Sequence, residues 1–175
     1  MKQKRLVYPL IPKSAGWLIP GQFWALPLSD GTFGCGRVIE VPTADQRVSR
    51  MEFLAGVVDW HGPVEPTSEL IAGAPCLTQG RAHIRAITRT GGALLGHRDL
   101  ASDGVEPWLF RGAHHHANSE VLRGFMPLRP QTPEDRGLPV LSTWGYDVPR
   151  VVAEARFVKR TGPWALPSRP SGDGT

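Results

Sequence analysis

Three consecutive histidines, at positions 114–116, are the most conspicuous residues capable of chemistry in this sequence. Neutral imidazole can bind a metal ion or act as a general base. Their spacing argues against both roles, because adjacent side chains point to opposite faces of a strand and lie about 100° apart on a helix. We therefore expect an exposed polar loop that contacts a partner. A metal-dependent hydrolase that uses His114, His115 and His116 stays open as an alternative.

The remaining histidines and the two cysteines form no stronger site. His83 and His97 are predicted on the two arms of one hairpin, where we favour half-buried rings bonded to backbone over a paired site. Cys35 and Cys76 are expected as free buried thiols, with a single disulfide between them as the alternative. The sequence has no Glu-paired histidine motif, nucleophile elbow, phosphate-binding loop or dinucleotide fingerprint. We therefore predict a non-enzyme with no catalytic residue, no metal ligand and no cofactor.

The composition is that of one ordinary globular domain. The chain has 175 residues, of which 41% are hydrophobic and 21% charged, and these values exclude a fibre or long disorder. The 20 glycines and 17 prolines exclude an all-helical bundle, because each costs about 1 and 3 kcal/mol respectively inside a helix. Short strands joined by turns are favoured instead.

The basic charge is thin and spread out. The net charge is +4, and it divides into +2 for residues 1–60, −1 for residues 61–120 and +3 for residues 121–175. Binding of nucleic acid usually needs a concentrated basic stripe. The distribution therefore argues against a nucleic-acid partner, although a nucleic-acid-binding barrel stays open as the second reading.

The sequence gives no sign of a membrane partner. The basic N-terminal residues are followed by Pro9 and Pro12, which break the apolar run that a signal peptide needs. No run of about 18 apolar residues occurs. We expect a cytoplasmic protein.

A hairpin between Gly21 and Val41 is the clearest local pattern. Strands are predicted over residues 22–28 and 33–41, and Asp30-Gly31 between them is typical of a type I′ turn, with positive φ at both central positions. Alternation places Gly34 and Gly36 on one face, open to close approach by a strand or helix. The opposite face carries Phe33, Cys35, Arg37 and Ile39.

The other predicted elements are also short. Strands are expected over residues 52–60, 83–88, 93–98 and 138–144, with the second and third paired as a hairpin. A short helix is predicted over residues 118–124 and a helical turn over residues 68–73, whereas residues 149–158 fit either a helix or a strand. The fold class is α+β, mostly β: a small twisted antiparallel sheet or an SH3-like partial barrel with one or two short helices. Residues 1–159 would form one domain and residues 160–175 a flexible tail.

The six tryptophans divide by predicted environment. Trp24, Trp60 and Trp144 fall in predicted strands and are expected in the core, whereas Trp17, Trp108 and Trp164 fall in loops or the tail. Aromatic and arginine side chains anchor interfaces. The predicted partner contacts are Trp108, Arg111, His114, His115 and His116.

The segment from Gly21 to Val38 also resembles a known family. It has a glycine and a polar residue, an aromatic-rich strand, Pro-Leu, an Asp-Gly turn, an aromatic residue and Gly-x-Gly-Arg-Val. This pattern resembles the opening of immunity protein family twenty-six of bacterial polymorphic toxin systems. Residues 83–98 and 138–147 are loosely compatible with that family. Hairpins of this kind also open SH3-like ribonuclease toxins, but those continue with an Arg-Pro strand that this sequence lacks.

The resemblance implies a small cytoplasmic protein, α+β or mostly β, that binds and neutralises a cognate protein toxin without catalysis or cofactor. It carries over no catalytic residue. The expected mechanism is occlusion of the toxin's active or substrate site. Because the chain is basic, the toxin surface that it covers is expected to be acidic or apolar.

Overall fold

The computed structural model describes residues 6–46, 48–112 and 119–164. Eight strands in these residues form two antiparallel sheets, and the helical segments are short. The predicted class, α+β and mostly β, is confirmed. Edge strands of the larger sheet are not paired with each other in the described part of the chain, so this sheet is open rather than a barrel.

The larger sheet has the strand order β4-β3-β2-β1-β5, and all neighbouring strands are antiparallel. Its strands are β1 (Gln22–Pro27), β2 (Phe33–Glu40), β3 (Glu52–Gly62), β4 (Cys76–His83) and β5 (Leu94–His97). The smaller sheet has the order β6-β7-β8. Its strands are β6 (Leu109–Arg111), β7 (Glu120–Arg123) and β8 (Met126–Pro130).

The helical segments lie between and after the strands. The α-helices are α1 (Arg85–Thr88) and α2 (Val148–Ala153), and α2 continues as a π-helical segment over Glu154–Lys159. Residues 149–158, which fitted either a helix or a strand, are therefore helical. Short 3-10 helices span Ala15–Trp17, Ala101–Asp103, Pro133–Gly137 and Gly162–Trp164. No helix in the described residues is long and apolar enough to cross a membrane.

The predicted β1–β2 hairpin is confirmed, but its turn is longer than expected. Leu28 N–H donates to Thr32 O at 2.9 Å, so the loop lies between these two residues. Gly31 has a φ of 84°, and Asp30 is not among the residues with positive φ. The carboxylate of Asp30 instead accepts a hydrogen bond from Thr32 N–H at 3.0 Å. The type I′ prediction is wrong, because this side-chain bond stabilises a turn that needs only one left-handed residue.

One face of the larger sheet packs against the helices at very short range. A Cβ atom added to Gly34 would lie 3.0 Å from Cβ of Ala153 in α2, and one added to Gly36 would lie 2.2 Å from the Trp24 ring. The predicted close approach at these two glycines is therefore confirmed. The core cluster on this face includes Trp24, Leu26, Val38, Phe53, Ala55, Val57, Ala82, Ile84, Ile87, Leu94, Val152 and Ala153.

The opposite face of the larger sheet is covered by the smaller sheet and by loops. One cluster comprises Ile39, Leu54, Val105, Phe110 and Phe125, and the other comprises Phe23, Cys35, Val58 and Ile71. Cys35, Arg37 and Ile39 lie on this second face, as the alternation in β2 predicts.

An extended segment, residues 138–146, links the two sheets, and we call it the strap. It forms parallel bridges between Val140 and Arg111 in β6 and between Thr143 and Arg81 in β4. The strap covers the outer edge of β4, which protects that edge from pairing with another chain. The strand predicted over residues 138–144 is thus present only as isolated bridges.

The predicted hairpin of residues 83–88 and 93–98 is wrong. Residues 85–88 form α1, whose first N–H, that of Arg85, donates to His83 Nδ1 at 3.0 Å. Ile84 and Ile87 are both buried in the same cluster, and this three-residue spacing is that of one face of a helix, whereas in a strand the two side chains would point to opposite faces. The second arm, β5, pairs with β1 at the other edge of the sheet.

Three other segments also differ from prediction. Residues 120–123 form β7 rather than a helix, because pairing with β6 and β8 outweighs local preference. Strand β4 was not predicted, since it contains Gly80 and polar residues that obscure the alternation. A Cβ atom at Gly80 would lie 2.2 Å from the Trp144 ring, so this glycine makes room for the strap. Residues 68–73 form turns, with Gly73 at a φ of 74°.

The close packing at Gly36 gives a first prediction. In Gly36→Ala the new methyl group would overlap the fully buried Trp24 ring, so we expect a loss of about 1–3 kcal/mol in the free energy of unfolding. Urea denaturation measures this loss. Gly137→Ala is the control, because nothing lies within 4 Å of its added Cβ. Equal stability of the two variants would contradict the packing described for the helical face.

Candidate functional site

A groove between the two sheets is the most developed cavity of the described residues that holds a predicted contact residue. Its volume is about 500 Å³. It is lined by Pro75, Cys76, Gln79, Asp103, Gly104, Val105, Glu106, Pro107, Trp108, Leu109, Arg123 and Pro139. Loop 98–108 supplies its central part, so the fixation of that loop determines the shape of the groove.

Gln79 in β4 fixes the end of loop 98–108. Its side-chain Oε1 accepts a hydrogen bond from Trp108 N–H at 2.9 Å, and its Nε2 donates to Glu106 O at 2.8 Å. The amide is nearly fully buried, so it acts like a strand partner for this irregular stretch of backbone. Trp108 is thereby held at the groove while its ring packs half-buried beside the second-face core.

A buried ion cluster fixes the beginning of the same loop. Arg37 in β2 lies 2.8 Å from the Asp103 carboxylate, and both side chains have 0% exposure. Arg37 also donates to the carbonyl oxygens of Arg98 and Asp99 at 2.7 and 3.2 Å. The carboxylate of Asp103 accepts further bonds from Arg98 Nε at 2.9 Å and Gly73 N–H at 2.8 Å. Two loops are therefore tied to the sheet through one carboxylate.

The turn between β7 and β8 closes against Trp108 from the other side. Gly124 N–H donates to Trp108 O at 3.0 Å, and Phe125 N–H donates to Glu40 Oε2 at 3.1 Å. Burial raises the pKa of Glu40, against the effect of this hydrogen bond. Gly124 has a φ of 57°, and a Cβ there would collide with the Glu40 carboxylate. Both backbone polar groups of Trp108 are thus bonded to neighbouring elements.

The rim of the groove carries one weak ion pair. Arg123 Nη1 lies 3.7 Å from Glu106 Oε2, and the two side chains are 43% and 79% exposed. Such an exposed pair contributes little to stability, about 0–1 kcal/mol. These two side chains are therefore free to exchange partners when another protein covers the groove.

Arg111 lies half-buried in β6 and holds the strap in place. Its Nε donates to Leu138 O at 3.0 Å, and its backbone bonds to Pro139 O and Leu141 N–H at 2.9 and 3.0 Å. These bonds give Arg111 a positioning role next to the groove. Its contact with a partner stays a prediction, as does that of Trp108.

The structure does not bring His83 and His97 together. His114, His115 and His116 lie outside the described residues. His83 ends β4 and His97 ends β5, at opposite edges of the larger sheet, so these two rings are separated by the width of four strand spacings, about 19 Å. The described residues contain no cluster of three or more metal-binding side chains.

Both cysteines are free, and neither is activated. Burial raises the pKa of Cys35 above its ordinary range and that of Cys76 to about 11. A thiol with such a pKa stays protonated at neutral pH and is a poor nucleophile. Cys76 lines the groove, but its chemistry there is that of a small apolar side chain.

Gln79, Arg37 and Asp103 were missed as site residues by sequence reasoning. Arg37 gave a partial signal, because a charged residue on the same strand face as Cys35 and Ile39 needs a buried partner. The partner, Asp103, lies 66 positions later in a loop, and no local pattern connects the two. Gln79 gave no signal, since β4 itself was not predicted.

The family model described as Immunity protein 26 matches residues 19–118. These 100 of the 175 residues include the whole larger sheet, α1, loop 98–108 and β6. The matched range contains Gln79, Asp103 and Trp108. Arg123 and the strap lie after it. Comparison with curated proteins and with solved structures gives no match.

The ion cluster predicts a pH-dependent stability. Burial alone would raise the pKa of Asp103, but hydrogen bonds from Gly73 and Arg98 and the Arg37 charge outweigh it and lower that pKa. The folded pKa therefore lies below the ordinary value of 3.8, so the stabilisation is full at neutral pH and is lost as the pH falls through the folded pKa. Asp103→Asn should lose about 3–5 kcal/mol at pH 7, because Arg37 stays buried without a counter-charge.

Urea denaturation between pH 7 and pH 2 measures this effect. The difference in free energy of unfolding between the unchanged chain and Asp103→Asn should begin to shrink below about pH 4, where the aspartate of the unfolded chain takes up a proton, and should be lost once the pH has passed below the folded pKa. Asp99→Asn is the matched control, since it removes the same charge from an exposed position of the same loop. A constant difference across this pH range would show that Asp103 does not act through its charge.

Proposed function

Because the chain belongs to the Immunity protein 26 family, we propose that it neutralises a cognate bacterial toxin by binding over the toxin's active or substrate site. The family is one of immunity proteins and not of enzymes. The proposed mechanism is therefore occlusion, with a protein toxin as partner and no catalytic step or cofactor in this chain.

The groove beside Trp108 is the observation that carries the proposed mode of binding. The backbone of Trp108 is fixed before binding, through the Gln79 amide on one side and the Gly124 N–H on the other, and its ring packs against the second-face core. A rigid aromatic side chain loses little conformational entropy on association and is typical of the residues that dominate interface energy. We propose that a toxin side chain or loop enters this groove and that Trp108 forms its wall.

The predicted contact Arg111 bonds through its backbone to Pro139, which lines the groove. Arg111 ends β6 and is three positions before His114 in the sequence. We propose that Arg111 acts by keeping the strap at the groove and that His114, His115 and His116 contact the toxin. The exposed Arg123 and Glu106 would form the polar rim that interfaces carry around an apolar centre.

The cytoplasm is the proposed compartment. Cys35 and Cys76 are free thiols. Free thiols persist where glutathione and thioredoxin keep the medium reducing.

Co-expression with the toxin domain encoded by the neighbouring gene tests the function. The full chain should restore growth and should bind the purified toxin domain, and failure of both would reject the proposal. Trp108→Ala should lower the affinity about 30-fold or more and weaken the protection, because an interface anchor contributes about 2 kcal/mol or more.

The matched control is Trp17→Ala, which removes an exposed tryptophan from the N-terminal 3-10 helix. It should leave affinity and protection unchanged. Thermal unfolding of each variant separates loss of contact from loss of fold. If Trp108→Ala does not fold, Arg123→Glu at the exposed rim provides the second variant, with an expected loss of affinity. Native affinity in a folded Trp108→Ala or in Arg123→Glu would exclude the groove as the contact surface.

A further inference from the structure

Two arginines and a tyrosine form a second surface feature, separate from the groove. Arg85 and Arg89 lie one helical turn apart in and after α1, and both are exposed. Their guanidinium carbons lie 5.6 and 5.0 Å from the centre of the Tyr146 ring. Tyr146 is the last residue of the strap, and its other neighbour is the His83 ring at 5.2 Å. We call Arg85, Arg89 and Tyr146 the arginine patch.

The arginine patch has no counter-charge within ion-pair distance. Six ion pairs occur among the described residues, and none involves Arg85 or Arg89. The local potential also acts on His83, whose pKa is lowered by burial and then by the charges of Arg85 and Arg89, although Glu52 opposes this. Two like charges at this spacing slightly destabilise a helix. Apart from the cation–π contacts with Tyr146, the pair therefore brings the fold no charge stabilisation.

The geometry of the patch suits carboxylates. A guanidinium presents a planar fork of N–H donors that matches a carboxylate with two parallel hydrogen bonds. The Tyr146 ring supports both guanidinium groups from one side, which reduces the freedom that they lose on binding. Two such guanidinium groups held at one ring fit a pair of acidic side chains.

We infer that the arginine patch binds an acidic surface of the cognate toxin, an inference that rests on the proposed function. The strap brings this patch within reach of the same partner as the groove, since it runs from Pro139 at the groove to Tyr146 at the patch. Seven extended residues span at most about 25 Å. A standard interface covers about 800 Å² on each partner, a patch roughly 30 Å across, so a toxin that covers the outer edge of β4, along which the strap runs, can reach both.

The charge distribution favours a protein over a nucleic acid. The stretch of residues 61–120, which contains Arg85 and Arg89, has a net charge of −1. Binding of nucleic acid needs a continuous row of basic side chains that contact successive phosphates. Binding of two neighbouring carboxylates needs only two guanidinium groups close together. A single pair of arginines therefore fits one acidic site on a protein better than a phosphate backbone.

The test measures binding of the full chain to the toxin domain encoded by the neighbouring gene, at 50 and 500 mM salt. Arg85→Glu/Arg89→Glu should lower the affinity about tenfold or more at 50 mM salt, chiefly by slowing association, and should reduce the salt dependence. Arg136→Glu/Lys159→Glu is the matched control, because it makes the same change in net charge at exposed positions elsewhere. It should change affinity by less than about threefold.

The outcomes separate this inference from the proposed function. Toxin binding that is equal in the patch variant and the control variant would overturn the inference and leave the proposed function standing. Absence of toxin binding by the unchanged chain would overturn both. Binding of a 20-nucleotide single strand that falls steeply with salt and disappears in the patch variant, with toxin binding unaffected, would assign the patch to nucleic acid instead. Thermal unfolding of the patch variant should match that of the unchanged chain, since both arginines are exposed.

Discussion

The Arg37–Asp103 ion pair is the contact on which the second face of the sheet depends. Burying two charges costs several kcal/mol per ion, and the cost is met only when the remaining donors and acceptors are also bonded. Here Arg37 Nη2 donates to two backbone carbonyls and the Asp103 carboxylate accepts bonds from Gly73 and Arg98, whereas Arg37 Nε is buried with no hydrogen-bond partner among the described residues. The ion pair therefore contributes little net stability, but it favours one conformation of loop 98–108. A different arrangement of loop 98–108 would leave both charges buried without partners.

The conformation that the ion pair favours also determines the shape of the groove, because loop 98–108 is held at several further points between Asp103 and Trp108. After Asp103 the chain turns at Gly104, passes the core residue Val105 and meets the Gln79 amide at Glu106 and Trp108. The ion pair, the packing of Val105 and the Gln79 amide therefore hold six consecutive residues in place. Trp108 therefore has a fixed position although no regular strand or helix contains it.

The sequence was informative where short-range spacing decides the structure. The β1–β2 hairpin and the two faces of β2 followed from alternation, because adjacent residues in a strand must point to opposite sides. The same rule misassigned residues 83–88, since Ile84 and Ile87 are buried in a helical turn whose start is closed by the His83 ring. Strand β4 was hidden because Gly80 leaves space for Trp144, a residue 64 positions away. In the candidate site, Trp108 could be proposed from its type, whereas Gln79 and Asp103 could not, since their partners are fixed only by the fold.

The strap explains how a small sheet can present two different kinds of contact at once. Its first residues border a groove with an aromatic wall, and its last residue contacts two arginines that form no ion pair among the described residues. Apolar anchors contribute most of the binding energy of an interface, whereas charges mainly set the rate of encounter and the orientation. A partner that satisfies both must match a shape and a charge at a fixed separation of at most about 25 Å. An inhibitor that has to bind one toxin and not others is more selective when its partner must fit both contacts than when one contact alone is strengthened. A wrong partner leaves charges or buried polar groups without a bonding partner, and this costs binding energy.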